Sequence, residues 1–599
     1  MLEVARKLLS FLDKKSRTHL YLLLIPMLVM ALLEMVSIGM IIPFIQVVLN
    51  GSDSEVFAWL PPEFSEMPPH DFLIYMAIGF SIFFIIKNIA IFWIVYGVTN
   101  FTQRKLALFR QRLFNLYLHR SYTFHLQKNS AEIIRNLGIS AGSAFDGLRL
   151  ALSILMDIFL ATAAMLLLLI VEPVVTISIG FVLVLAGGAI YGILGPKLQH
   201  WGEQAFQFEA KVIQAIAQGL GAFKEIKVLN SQRAIGASFG VFTDRLAYFS
   251  TLSITINQSP RLFVETIAVT GFFLLVVILL GLHDSVDQVI TILAVFGMAA
   301  LRLMPSMNRI LSSATEMRHR TAMVDGLYQD LKDASNKIEN HQGSKNLIGI
   351  PFKQNLQLVN LKYIYPASEA AAVNGISFTI EKGTSIGLVG QSGSGKTTTV
   401  DIILGLLDPM EGQLLIDGSD AFANISSWQR HLGYVPQSIY IFDDTLRRNI
   451  AFGVIDDEID EQAVLHAIKL AKLEELADNL PDGLDTVLGE YGARLSGGQL
   501  QRVGIARALY RNPSVLIFDE ATSALDNETE REVTQAIEVL SGDKTIIIIA
   551  HRLSTVENCD QIVFMKQGKV VDTGTFFDLQ KRNAAFRRMV NPSDTEIMP

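Results

Sequence analysis

Residues able to handle a phosphate group gather in the C-terminal part of the chain. The run Gly390-Gln-Ser392-Gly393-Ser394-Gly395-Lys396-Thr397 has the spacing G-x-x-x-x-G-K-[ST]. It follows a short β-type run, Ser385 to Val389, and leads into an apolar helical pattern from Thr398 to Leu407. In that strand, loop, helix setting, Gly393 and Gly395 let backbone N–H groups turn inward at a helix N-terminus, around β- and γ-phosphates. Gly390, Ser392, Ser394 and Thr398 complete the cradle, Lys396 supplies a point charge, and the Thr397 hydroxyl suits Mg2+. The competing reading is a glycine-rich turn without a ligand.

A second run, Val515-Leu-Ile-Phe-Asp519-Glu520, reads as a buried strand ending in two carboxylates. The carboxyl end of a strand is where α/β sheets place ligands. Asp519 is expected to hold Mg2+, directly or through water, and Glu520 to polarise the attacking water as general base. Strand-end carboxylates also serve as structural caps; it is the phosphate loop beside them that favours chemistry.

Between these runs lies Leu495-Ser496-Gly497-Gly498-Gln499, ahead of a helical pattern through Arg502 and Arg507. With it, and with Ser523-Ala-Leu-Asp526 and Ile549-Ala-His551-Arg552 in order and spacing, the chain resembles ATP-binding cassette transporters over essentially its whole length. Ser496, Gly497 and Gly498 at a helix N-terminus form a second anion site, since exposed N–H groups and the helix dipole favour a phosphate. The resemblance implies that this site, Gln499 included, caps ATP held by the phosphate loop of another subunit. It also implies an adenine-stacking aromatic at Tyr365, with Tyr363 as a rival and strand core as the alternative for either. Gln437, after Val435-Pro436, would contact Mg2+ and water, His551 the γ-phosphate, and Asp526 the opposite subunit. Glu490 with Gly492 resembles the loop that touches the membrane domain. ATP and Mg2+ are the implied cofactors. Because no hydrolysis residue is replaced, two copies would form two competent sites; a homodimer is the simplest arrangement, a similar second subunit the alternative.

Those motifs need elements to hold them, and the chain is long enough for at least two domains. Half of the residues are hydrophobic, and they concentrate before about residue 315, whereas residues 330–599 have an ordinary soluble composition. The expected organisation is a membrane α-helical domain of six transmembrane helices over 1–325, a linker over 326–350, an α/β P-loop cassette over 351–590 and a tail over 591–599. The net charge of −8 and the lack of a basic stripe with interleaved aromatics give no support to a nucleic-acid partner. A single cysteine, Cys559, excludes an intrachain disulfide and a cysteine-rich metal site.

Apolar windows near 20–49, 72–98, 148–170, 173–196, 261–281 and 287–312 each supply the ~20 residues that a bilayer core requires. The first is too long for a signal peptide and has no small-residue cleavage pattern. The connections 50–71, 171–172 and 281–287 contain no Lys or Arg, whereas 103–149 and 197–261 are long and basic, which predicts cytoplasmic long connections and cytoplasmic termini. Within them, the resemblance implies short cross-helices over His125 to Leu137 and Gly219 to Leu229, with ordinary solvated helices as the alternative. Val56 to Leu60, followed by Pro61 and Pro62, could form an interfacial helix on the outer face.

Six spans ahead of a cassette resemble the exporter type, in a bacterial inner membrane. The segment ahead of the first span has no cysteine, so processing of a peptide leader is not expected. The substrate reading starts from charge at membrane depth. Lys87 and Arg302 each lie about 22 Å below the outer face at 1.5 Å per residue; Arg309 shares nearly the same helix face as Arg302, and Arg261 opens the fifth span. Such a ring would suit a pyrophosphate-linked lipid. The competing reading has Arg261 and Arg309 snorkelling to the interface and Glu34 or Glu265 pairing with some of the cations. Gly221 to Leu229, Pro260-Arg261-Leu-Phe and the placement of these cations resemble bacterial lipid-linked oligosaccharide flippases. Alternatives are an exporter of lipids or amphipathic drugs and, against the intact hydrolysis residues, a gated anion channel.

Overall fold

Where the composition changes, the chain divides. The computed structural model describes residues 2–50, 68–171, 173–282, 286–338, 349–366, 368–520, 535, 537–538, 540 to 550 and 552–590. They form two units, Met1–Arg120 with Phe124–Asn340, and Ser121–Thr123 with His341–Pro599.

The first unit is all helix. After two short helices, Leu2–Ser10 and Lys14–Leu22, come Leu24–Gly39 continued by Ile41–Asn50, then Pro69–Leu118, Ala141–Val171, Pro173–Gly221, Gln232–Leu282 and Val286–His319. Pro69–Leu118 has 50 residues, about 75 Å of helix at 1.5 Å per residue, more than twice a bilayer core. Among the described residues, Lys14–Val48, Pro69–Leu118 and Ser130–Ile170 are long and apolar enough to cross a membrane. The most apolar window of Pro69–Leu118 is only 6% buried, so Ile82, Ile85, Ile86, Ile89, Phe92 and Trp93 face outward, as residues that meet lipid chains do.

The long helices pass one another at short turns. Tyr122–Gln127 and Phe223–Val228 are six-residue helices at two of these breaks. The first overlaps the start of the expected 125–137, and a second short helix, Ser130–Arg135, lies inside it; Asn129 caps that second helix, its side chain accepting from the Ala131 N–H at 2.9 Å. The expected outer-face helix over 56–60 lies outside the described residues. Close packing sets some positions: a Cβ at Gly202 would stand 2.4 Å from the carbonyl oxygen of His319.

A helix over Thr321–Ile338 closes this unit, so the stretch read as linker from residue 326 continues a helix. Val324 and Leu327 share an apolar cluster with Leu8 of the N-terminal helix and with Phe11 and Leu12 just after it. Asp330 holds it in place: its carboxylate accepts from Tyr117 Oη (3.0 Å), Asn136 Nδ2 (2.7 Å) and Lys128 Nζ (2.6 Å).

The second unit is α/β. An antiparallel sheet of order β2-β1-β4-β5 (β1 Asn355–Ile364, β2 Ala371–Glu381, β4 Glu411–Ile416, β5 Ser419–Asp420) lies beside a larger one. The larger sheet has order β10-β9-β3-β8-β7-β6 (β3 Ser385–Val389, β6 Leu432–Val435, β7 Val515–Asp519, β8 Thr545–Ile549, β9 Gln561–Lys566, β10 Lys569–Gly574). Within it β9, β3, β8, β7 and β6 run parallel. Every residue of β3, β7 and β8 is buried, which accounts for their unbroken apolar runs. Ile517 packs with Val400 and Ile403 of the helix after the phosphate loop, and Leu516 and Phe518 pack on the opposite face with Val503 and Leu509.

Candidate nucleotide site

Four neighbouring parallel strands deliver their carboxyl ends to one place. The phosphate loop follows β3, Ala550 follows β8, Asp519 and Glu520 end β7, and Gln437 follows β6. The sheet thus assembles residues more than a hundred positions apart in sequence.

At the end of β3, Gly390 is buried, and Gln391, Ser392 and Gly393 stand exposed on the loop. Gly395 has φ +98°, and a Cβ there would meet the Ala372 carbonyl oxygen at 2.5 Å, so only glycine fits. Ser394 is buried, and its hydroxyl has no protein partner. Lys396, also buried, opens the helix Lys396–Ile403 and donates to the carbonyl oxygens of Gly390 (2.8 Å) and Gln391 (3.2 Å). Burial pulls its ammonium below the usual lysine range, opposed by the charges of Glu520 and Asp519. Thr397 is exposed in the first turn. Thr398 is buried, and its hydroxyl lies 3.3 Å from Tyr365 Oη. Tyr365 is therefore the aromatic at the loop, while its rival Tyr363 is a core residue stacked edge-on against it.

Glu520 sits just beyond β7 with φ +49°, a left-handed conformation that glutamate rarely adopts. Its N–H donates to the Ile549 carbonyl (3.1 Å), and its Oε2 accepts from Gln437 Nε2 at 2.6 Å. Asp519 is buried and accepts from Tyr434 Oη at 3.3 Å. Burial and the Asp519 charge push the Tyr434 hydroxyl up, which keeps it a donor. Asp401, on the helix after the phosphate loop, is pushed up to about 6 by burial and by the Asp519 charge. The Thr397 hydroxyl, the Asp519 carboxylate and the Gln437 amide are hard oxygen donors, the set that fits Mg2+, and the orphaned Ser394 hydroxyl fits a phosphate cradle.

The signature residues open the helix Gly497–Leu509. Ser496 and Gly497 are exposed and Gly498 is buried. Ser496 accepts from the Gln499 N–H, and Gln499 Oε1 accepts from the Ser496 N–H at 2.9 Å. Gln499 thus works within this chain as half of a capping box. Asp526 and His551 lie outside the described residues.

The cations expected to form a ring are placed in different ways. Lys87 is 1% exposed, and its Nζ donates to Glu34 Oε2 at 3.0 Å. Arg309 bonds Asp157, which is fully buried, through Nε at 3.0 Å to each oxygen. A cation at membrane depth costs less when a carboxylate neutralises it; Lys87 is buried with its counter-charge, whereas Arg309 pairs with Asp157 and still leaves its side chain 48% exposed. Arg261 is exposed, and Arg302 lies in Val286–His319 with its side chain outside the described atoms. Asp157 was missed in the sequence; its signal is a lone acidic residue within the apolar window 148–170. Tyr434 and Asp401, with no motif to mark them, were missed too.

Comparison with known proteins matches this geometry. The family model described as ABC transporter matches residues 373–523. Over 85% of the chain and 85% of the relative, it is 28% identical to the ATP-dependent lipid A-core flippase of Ralstonia nicotianae. Over 87% of each, it is 29% identical to the flippase of the same name from Francisella novicida. A solved bacterial Atm1-family ABC exporter with ATP bound superposes with TM-score 0.78 over 98% of this chain and 100% of that one, at 22% identity. The helical unit fused to a phosphate-loop ATPase and the match across both make this chain an ATP-binding cassette half-transporter of exporter fold, a multi-pass membrane protein that binds and hydrolyses ATP to drive export.

Proposed function

We propose that two copies of this chain form a homodimer in a bacterial cytoplasmic membrane, with both termini cytoplasmic, and move an amphipathic anionic lipid outward. Each nucleotide would lie between the phosphate loop of one copy and Ser496, Gly497 and Gly498 of the other. Gln437 and Glu520, in contact across the ends of β6 and β7, would hold the attacking water, with Glu520 as general base, and Thr397, Gln437 and Asp519 would hold Mg2+. His551 and Asp526 keep the roles that the family resemblance implies.

For the substrate, general lipid export is preferred to a lipid-linked oligosaccharide. The observation that carries it is the similarity, over both domains, to proteins named as lipid A-core flippases. The burial of Lys87 against Glu34 further weakens the case for a pyrophosphate-gripping ring. The test is a proteoliposome assay comparing a phosphorylated acylated-glucosamine glycolipid, a polyprenyl-pyrophosphate glycan and a neutral amphipathic dye. Flipping and ATPase stimulation are expected for the first. Transport of the polyprenyl-linked glycan alone would restore the oligosaccharide reading, and transport of the dye alone would point to a drug exporter.

A further inference from the structure

β6 and β7 pair in parallel with Tyr434 opposite Ile517. Side chains alternate along a strand, so Ile517 and Asp519 share one face, and Tyr434 stands on that same face one diagonal step behind Asp519. A phenol is long enough to span such a step. This face is the one covered by the helix after the phosphate loop, since Tyr434 and Ile517 belong to the same apolar cluster as Val400 and Ile403. The Tyr434 hydroxyl emerges from that cluster to donate to Asp519 Oδ2 at 3.3 Å. A carboxylate at a strand end can rotate about its side-chain bonds; a donor fixed on the adjacent strand restricts that rotation. We propose that Tyr434 is a positioning residue for the metal site: its hydroxyl fixes the orientation of the Asp519 carboxylate and so sets how tightly the divalent cation is held with ATP. This rests on Asp519 being a metal-holding group, as argued above. Partners that orient ligating carboxylates typically change metal affinity by about 10–100-fold.

Tyr434→Phe removes the hydroxyl and keeps the ring in its cluster. The full-length protein in lipid nanodiscs would be titrated with Mn2+ as a paramagnetic probe, in the presence of a saturating non-hydrolysable ATP analogue, beside wild type and Asp519→Asn. Nucleotide affinity in EDTA would be measured in parallel. Tyr434→Phe is expected to weaken Mn2+ binding about tenfold and to leave metal-free nucleotide affinity unchanged, with a larger Mn2+ loss for Asp519→Asn. Unchanged Mn2+ binding in Asp519→Asn would overturn the metal role of Asp519 itself. Weakened binding in Asp519→Asn with wild-type binding in Tyr434→Phe would overturn the role of Tyr434 alone. An equal loss of metal-free nucleotide affinity in Tyr434→Phe, or a protein that no longer folds, would assign Tyr434 to packing and overturn it as well.

Discussion

In the cassette, polar groups meet because neighbouring strand ends meet; in the helical unit, they meet because long helices cross. Gln437 reaches Glu520, and Tyr434 reaches Asp519, from adjacent strands of one sheet. Lys87 and Glu34 are 53 residues apart on different helices, and Arg309 and Asp157 are 152 apart. The cassette keeps its charges at the rim of a buried apolar sheet, where a substrate can use them. The helical unit turns apolar residues outward and hides the Lys87–Glu34 pair inside. Buried charge therefore points to chemistry in one region and to packing in the other, and each contrast can be broken experimentally.

The largest effect is expected where both partners of a pair are buried. Glu34→Ala leaves the Lys87 ammonium without its carboxylate and should destabilise the helical unit by about 3–5 kcal/mol, read as a lowered unfolding midpoint in nanodiscs. Replacing both residues, as Glu34→Leu with Lys87→Met, should restore most of that loss, since an apolar pair of similar volume avoids the buried charge. If the single and double variants are equally unstable, the pair is not what holds these helices together.

Glu520→Gln should leave the fold intact and act on chemistry alone. Steady-state ATPase is expected to fall about 100- to 1000-fold, roughly 2.7–4 kcal/mol in barrier, with ATP binding retained. Hydrolysis near the wild-type rate would remove Glu520 from the base role. The same variant separates the regions: it should abolish transport without moving the unfolding midpoint, the reverse of Glu34→Ala.

How much was legible in the sequence follows the same division. The phosphate loop, the strand-end carboxylates and the signature are contiguous stretches, so spacing was enough to read them, while the order of the strands that carry them comes from the fold. The choice between Tyr363 and Tyr365 was not legible, because two residues apart on a strand share one face, and only packing separates the core ring from the one at Thr398. Short helices at the breaks were expected within a few residues; the N-cap at Asn129 sets the true boundary. Asp330 escaped because its partners are distant in sequence and no local pattern marks it, whereas Asp157 carried a signal, a lone acid in an apolar window, that named no partner.

Asp330 gives a smaller, intermediate effect. Asp330→Ala removes the acceptor shared by Tyr117, Asn136 and Lys128; Lys128 keeps Glu132 and Asn136 keeps the Tyr117 hydroxyl, but the buried Tyr117 hydroxyl loses its acceptor, at a cost of about 1–3 kcal/mol. Proteolysis within residues 321–338 should become faster, because this carboxylate ties that helix to the ends of its neighbours. Wild-type protection would mean that Val324 and Leu327 suffice to hold it.

The smallest effect concerns Asp401 and carries a pH signature. Burial, and then the charge of Asp519, push its carboxyl up to about 6, above the ordinary aspartate value near 3.9. The folded state therefore binds this proton more tightly than the unfolded chain does. Ionised Asp401 is a burden fully present above about pH 6, and it is relieved as pH falls from there toward 4. Asp401→Asn removes the charge at every pH, so it should stabilise the full-length protein at pH 7.5 by about 1–2 kcal/mol. That advantage should shrink below pH 6 and vanish near pH 4. Mg2+ with ATP should diminish the advantage at pH 7.5, because a cation beside Asp519 offsets the negative charge that Asp401 meets. A stabilisation equal at pH 4.5 and 7.5 would show that Asn improves packing and that the buried carboxylate carries no such burden.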